Sequence, residues 1–96
     1  MATVTETYII YINKTAPAWP TSATSRLNSW ISSNKMVSNT KTEIDSDNPS
    51  KKKYEITRVY RSAEDREEFV TECNQDFTLL TYLSANEYSL VNLEII

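Results

Sequence analysis

The chain has 96 residues, a length that predicts one domain over residues 1–96. Its net charge of −3 is not typical of a protein that binds polyanions. It contains no glycine, no histidine and a single cysteine. These absences exclude glycine-rich phosphate loops, histidine-dependent catalytic triads and histidine-bound zinc or haem, and we expect neither a metal nor a cofactor.

The first half of the chain predicts a strand followed by a helix. Residues 6–13 are rich in β-branched and aromatic residues, and every position from Tyr8 to Ile12 is apolar. After a loop with two prolines, a helix is predicted over residues 21–34, with Thr21 or Ser22 as its cap. One face of this helix carries Ala23, Leu27, Trp30, Ile31 and Asn34.

Two further strands are predicted in the middle of the chain. Residues 36–45 are extended and mostly polar, which favours an edge strand. A turn-forming cluster leads into a clearer strand over residues 52–61. Alternation places four of its side chains on one side: Tyr54, Ile56, Arg58 and Tyr60.

The last third of the chain predicts two helices and a strand. Ser62 and Asp65 have the spacing of a capping box, and an amphipathic helix follows. Asp76 is placed to cap a further short helix. Residues 87–96 then alternate as a final strand, with Val91, Leu93 and Ile95 on one side and Tyr88, Leu90 and Ile96 on the other.

The order β-α-β-β-α-β predicts an α+β ferredoxin-like fold, in which a four-stranded antiparallel sheet carries the two main helices on one face. Right-handed crossovers place the first and third strands in the middle. Because the first and last strands are apolar on both sides, the face without helices would expose an apolar surface to water. The economical cover is a second copy of the chain, and we expect a homodimer that pairs through this face.

The length, the element order, the doubly apolar strands and the helix start Arg61-Ser62-Ala63-Glu64-Asp65 resemble the dimeric α+β barrel superfamily. In that superfamily two ferredoxin-like protomers pack sheet against sheet. Its members include cofactor-independent monooxygenases of antibiotic biosynthesis, haem-degrading enzymes and muconolactone isomerase-like enzymes. The haem-degrading branch depends on a histidine that this chain lacks, and the glycine that commonly follows the first strand is also missing.

Arg58 is the most informative candidate site residue. On a covered sheet face its guanidinium needs a partner, which is either an anionic or phenolic ligand or a carboxylate such as Glu94. Trp19 either roofs a pocket or packs on the first turn of the neighbouring helix. Hydroxyls and amides for a pocket are predicted from Tyr11, Tyr54, Tyr60 and Asn92, although strand tyrosines also serve cross-strand packing.

We therefore expect a cytoplasmic homodimeric module that binds a small molecule or has no catalytic activity. The alternative is a cofactor-independent monooxygenase or isomerase acting on an aromatic or phenolic compound, in which Arg58 holds an anionic oxygen. A second alternative is RNA binding, because three lysines lead into Tyr54, Arg58 and Tyr60 on the third strand. No segment has the length and hydropathy of a membrane span, and no membrane partner is expected.

Overall fold

The computed structural model describes residues 2–96 and contains the elements that the sequence predicts. The strands are β1 (Val4–Asn13), β2 (Met36–Ile44), β3 (Lys51–Tyr60) and β4 (Ser89–Ile95). The helices are α1 (Thr21–Ser32), α2 (Ala63–Asn74) and α3 (Phe77–Ala85). The strands form one antiparallel sheet in the order β2-β3-β1-β4, with β1 and β3 central as predicted. The ferredoxin-like β-α-β-β-α-β arrangement is confirmed.

Side-chain caps begin two of the three helices. The Ser62 hydroxyl accepts a hydrogen bond from the Asp65 backbone N–H, and the Asp76 carboxylate accepts one from the Leu79 N–H, as predicted. The predicted cap of α1 was wrong, because Thr21 is already helical and Pro20 occupies the cap position without a side-chain hydrogen bond. The fixed φ of proline already turns the chain into the helix there.

One face of the sheet packs under all three helices and is called the covered face. On β1 and β3 it carries Glu6, Tyr8, Ile10, Ile12, Lys52, Tyr54, Ile56, Arg58 and Tyr60. Two core clusters form on it. One contains Trp30, Met36, Tyr60 and Phe69, and the other contains Tyr8, Ile10 and Ile56. The β3 alternation predicted from the sequence is therefore confirmed.

The predicted alternation of β4 was wrong. The pairing with β1 shifts register between Thr7 and Ile9, and Asn92 at this irregularity has a φ of 56°. A bulge adds one residue to a strand, so the side chains after it change face. The bulge brings three apolar β4 side chains to the covered face, namely Leu90, Leu93 and Ile95.

The other side of the sheet, called the open face, is consequently less apolar than predicted. Ile9, Val59 and Val91 lie there among hydroxyl and charged side chains. The polar members on the three strands β1, β3 and β4 are Thr5, Thr7, Tyr11, Asn13, Lys51, Lys53, Glu55, Thr57, Ser89 and Glu94. Such a mixed surface tolerates water far better than the doubly apolar sheet that the sequence predicts.

Candidate ligand-binding site

A cavity of about 510 Å³ lies between the covered face and the three helices. Its volume falls within the range of roughly 300–1,000 Å³ typical of small-molecule pockets. Tyr8 and Ile10 form part of its floor, and Leu27 of α1, Phe69 of α2 and Leu83 of α3 form part of its opposite wall. The cavity exists because the helices cover the sheet without filling the space against it.

Arg58 is the central polar residue of this cavity. Its Nε–H donates to Asn39 Oδ1 at 2.8 Å across the β2–β3 pair. Its guanidinium carbon lies 5.7 Å from the centre of the Tyr8 ring and 5.2 Å from that of Phe69. Two aromatic faces and one amide therefore hold the cation between the sheet and α2, and such cation–π contacts each stabilise by about 0.5–2 kcal/mol.

No carboxylate in residues 2–96 forms an ion pair with Arg58. The predicted structural partner, Glu94, pairs with Thr7 in the sheet register and lies on the open face. Every fully buried side-chain nitrogen or oxygen in the same part of the chain has a hydrogen-bond partner. The guanidinium group of Arg58 lies beside the Tyr8 and Tyr60 hydroxyls and borders the cavity.

Glu6 is the acidic residue of β1 opposite Arg58, and its carboxylate is hydrogen-bonded to other side chains. Its Oε2 accepts a hydrogen bond from Arg66 Nε at 2.6 Å, and its Oε1 accepts one from the Tyr60 hydroxyl at 3.3 Å. The carboxylate is only 4% exposed. This network pairs Glu6 with Arg66. Arg58 lies opposite Glu6 in the sheet register and feels its negative charge, but the two side chains form no ion pair.

Three weakly acidic groups that face the cavity, two phenols and a thiol, are held neutral. Burial raises the pKa of Tyr8, and Arg58 beside it only partly opposes that effect. Burial likewise raises the pKa of Tyr88 and of the Cys73 thiol. These groups are phenols and a thiol near neutral pH, so they offer hydrogen bonds and no negative charge to Arg58.

A second, more polar cleft of about 260 Å³ adjoins the cavity. Trp19 and Lys41 line both spaces and form the wall between them. The Trp19 ring lies 5.1 Å from the Tyr82 ring of α3 and meets Tyr88 edge-on at 6.5 Å. Of the two expectations for Trp19, the structure places it in a cavity wall, packed on α3.

The six residues predicted from the sequence are divided between the two faces. Arg58 and Trp19 line the cavity, and Tyr54 lines the adjoining cleft. Tyr60 is fully buried in the core beside them. The other two do not line the cavity. The Tyr11 hydroxyl donates to Asp47 at 2.8 Å from the open face, and Asn92 is exposed at the β4 bulge.

The RNA-binding alternative requires Tyr54 and Tyr60 on the open face of the sheet, and they do not lie there. Stacking of bases on a sheet requires aromatic side chains on its open side. Both tyrosines lie under the helices, and Tyr11 is the single aromatic residue that the four strands place on the open face. The alternation of β3 is as predicted, but the face that it presents is the covered one.

Sequence reasoning missed several site residues. Glu6 and Tyr8 lie on the same side of β1 as Ile10, so the alternation of this strand could have predicted that they face the cavity. Asn39 and Lys41 had no such signal, because the β2–β3 register shifts between Met36 and Ser38 and changes the faces of the following residues. Only the pairing in the folded sheet shows that they lie beside Arg58.

Comparisons of the chain with protein-family models, with curated proteins and with solved structures find no match. Across residues 2–96, none of the helices combines the length and the hydropathy needed to cross a membrane. The cavity and its charges therefore carry the functional argument.

Proposed function

We propose that the protein binds a small apolar molecule with an anionic oxygen group, such as an aromatic carboxylate or phenolate, in the cavity on the covered face. The observation that carries this proposal is the cation of Arg58, which forms no ion pair with residues 2–96, inside a cavity lined mainly by apolar side chains. A desolvated charge without a counter-ion is costly, and an anionic ligand would remove that cost. Arg58 also offers further N–H donors in a planar arrangement that suits a carboxylate.

The shape and lining of the cavity support a ligand with a ring-sized apolar body. Ile10 and Ile56 of the sheet and Leu27 of α1 face the same space as Arg58. Leu90 and Leu93, both partly exposed, lie where β4 meets solvent at the cavity mouth. A ligand that buries its apolar surface here gains about 25 cal/mol per Å² before the entropy costs of binding.

The same geometry favours binding over turnover. General base catalysis needs a group that accepts a proton near neutral pH. Glu6 is bound by Arg66 and Tyr60, and burial keeps Tyr8 and Cys73 protonated. The oxygenase or isomerase alternative would then depend on the acidity of the substrate itself. The cytoplasmic location and the membership of the dimeric α+β barrel superfamily stay predictions.

The homodimer also stays a prediction, with a changed physical basis. Since the β4 bulge moves Leu93 and Ile95 to the covered face, the open face keeps a smaller apolar set around Ile9 and Val91. None of the three helices covers it. We expect a weaker dimer than a doubly apolar sheet would form.

Isothermal titration with 2-naphthoate and its neutral analogue 2-naphthamide tests the proposed function. We expect the wild-type protein to bind the carboxylate at least about tenfold more tightly, because charge-assisted hydrogen bonds are worth roughly 1.5–3 kcal/mol. Arg58→Gln should abolish this preference. Lys53→Gln is the matched control, since it removes one cation from the open face of the same strand and should leave the preference unchanged.

Equal affinities for the two compounds in the wild-type protein would contradict the proposal, and so would an Arg58→Gln variant that keeps the preference. The thermal melting of each variant shows that it is folded. Arg58 makes no ion pair with residues 2–96, so its removal leaves no partner charge buried.

A further inference from the structure

Three cations lie on the covered face of β2 and β3, namely Lys41, Lys52 and Arg58, and one acid of β2, Glu43, shares that face. None of the three forms an ion pair with a carboxylate of residues 2–96. The other arginines behave differently. Arg26 pairs with Asp76, Arg61 with Asp65 and Arg66 with Glu6. In a chain with a net charge of −3, this local excess of positive charge is a specific feature.

Lys41 is held in place by two aromatic rings. Its Nζ lies 4.6 Å from the centre of the Tyr54 ring and 5.0 Å from that of the Trp19 ring. These contacts orient the ammonium group on the wall between the cavity and the polar cleft. Lys52 lines the same cleft. The cleft therefore offers two ammonium groups, one of them fixed by its neighbours.

The sheet register sets the relation of Lys41 to Arg58. Arg58 pairs with Asn39, and Ile56 pairs with Lys41. Lys41 and Arg58 are thus diagonal neighbours on one face, a relation that places residues roughly 7–8 Å apart. Partial burial, Lys52 and Arg58 together lower the pKa of Lys41. Burial is the largest cause of this lowered pKa, the like charges of Lys52 and Arg58 add to it, and Glu43 opposes it. A nearby anion would relieve the repulsion among the three cations.

We propose that the natural ligand of the cavity carries two anionic groups on one rigid apolar body, with the first at Arg58 and the second at Lys41 and Lys52. The inference rests on the proposed function and extends it from one charge to two. An aromatic or alicyclic dicarboxylate has this chemistry. Its rings would occupy the space beside Ile56, which lies between the two cation positions on β3 and β2.

Titration with 2,6-naphthalenedicarboxylate tests the second site against 2-naphthoate, which has the same rings and one carboxylate fewer. At low ionic strength we expect the dianion to bind the wild-type protein about threefold to fivefold more tightly, as one partly exposed ion pair allows. Added salt should reduce this advantage.

Lys41→Gln should remove the advantage of the dianion, measured as the ratio of the affinities for the two compounds in the same variant. Lys53→Gln, again on the open face of β3, should keep the full advantage. Because Lys41 also contacts Trp19 and Tyr54, Lys52→Gln serves as a second variant that leaves those ring contacts in place. It should reduce the advantage in part.

The outcomes separate this inference from the proposed function. If 2-naphthoate binds through Arg58 and the dianion shows no advantage, the second site is refuted and the proposed function stands. An advantage that survives both Lys41→Gln and Lys52→Gln also refutes the second site. If neither compound binds the wild-type protein, the proposed function fails and this inference fails with it.

Discussion

The two faces of the sheet use their polar side chains in opposite ways. On the covered face, Glu6 is bound by Arg66 and Tyr60, while Arg58 is held by an amide and two rings with no counter-ion in residues 2–96. On the open face, threonine, lysine and glutamate side chains share the strands with Ile9, Val59 and Val91 and contact water.

The difference shows that the surroundings of a charged side chain decide whether it needs a counter-ion. A lysine such as Lys53 on the open face is partly solvated and lies beside the Tyr11 ring, so it requires no counter-ion. A guanidinium such as Arg58 between the sheet and a helix loses water, so its missing partner becomes a sign of a ligand.

Ile10→Ala and Ile9→Ala compare the two faces at adjacent positions of β1. Ile10 is 0% exposed, and its truncation should lower the free energy of unfolding by about 2–5 kcal/mol. Ile9 is partly exposed on the open face, and the same change should cost about 1 kcal/mol. Urea denaturation monitored by tryptophan fluorescence measures both. Equal losses would mean that the open face is as well covered as the helix side.

Asp76→Asn tests the helix layer that closes the covered face. Asp76 caps α3 and accepts a hydrogen bond from Arg26 of α1 at 2.8 Å. The Arg26 guanidinium and the Leu79 N–H lower the pKa of Asp76 from 3.8 to about 2. The depressed value means that the carboxylate stabilises the fold fully above pH 3.8, and that this contribution disappears as the pH falls to about 2.

The asparagine variant keeps a capping oxygen and loses the charge. We expect its melting temperature to be lower than wild type by roughly 2–5 °C at pH 7 and the same as wild type near pH 2. Asp45→Asn makes the same change at an exposed site and should leave the melting curve unaltered at both pH values. A loss of equal size at pH 2 and pH 7 would argue against the ion pair.

The smallest effect concerns the association of two copies through the open face. Light scattering at about 100 μM should give twice the mass of one 11.1 kDa chain, and dilution should shift the mass toward the monomer. Ile9→Lys should give the monomer throughout, whereas Ile31→Lys on the exposed side of α1 should not change the mass. The mass of one chain at the highest concentration would show that the open face is simply solvated.

Local patterns account for most of the fold. Alternation on β3 placed Tyr54, Ile56, Arg58 and Tyr60 together, and the Ser62 and Asp76 caps marked the starts of α2 and α3. Apart from the cap of α1, the misplaced or missed side chains follow the two register shifts, one before Ser38 on β2 and one at Asn92 on β4. A bulge reverses the faces of the residues that follow it, and the alternation of apolar and polar residues does not show where a bulge occurs.

The sequence by itself determined the α+β class, the order of the elements and the presence of an arginine among aromatic residues on one side of β3, because these depend on local periodicity and on helix caps. Only the tertiary structure decided which side the helices cover, that Glu6 is bound by Arg66 and not by Arg58, and that Lys41 lies diagonal to that arginine. These relations depend on strand register and on the spacing between layers, which arise from contacts between residues distant in the chain.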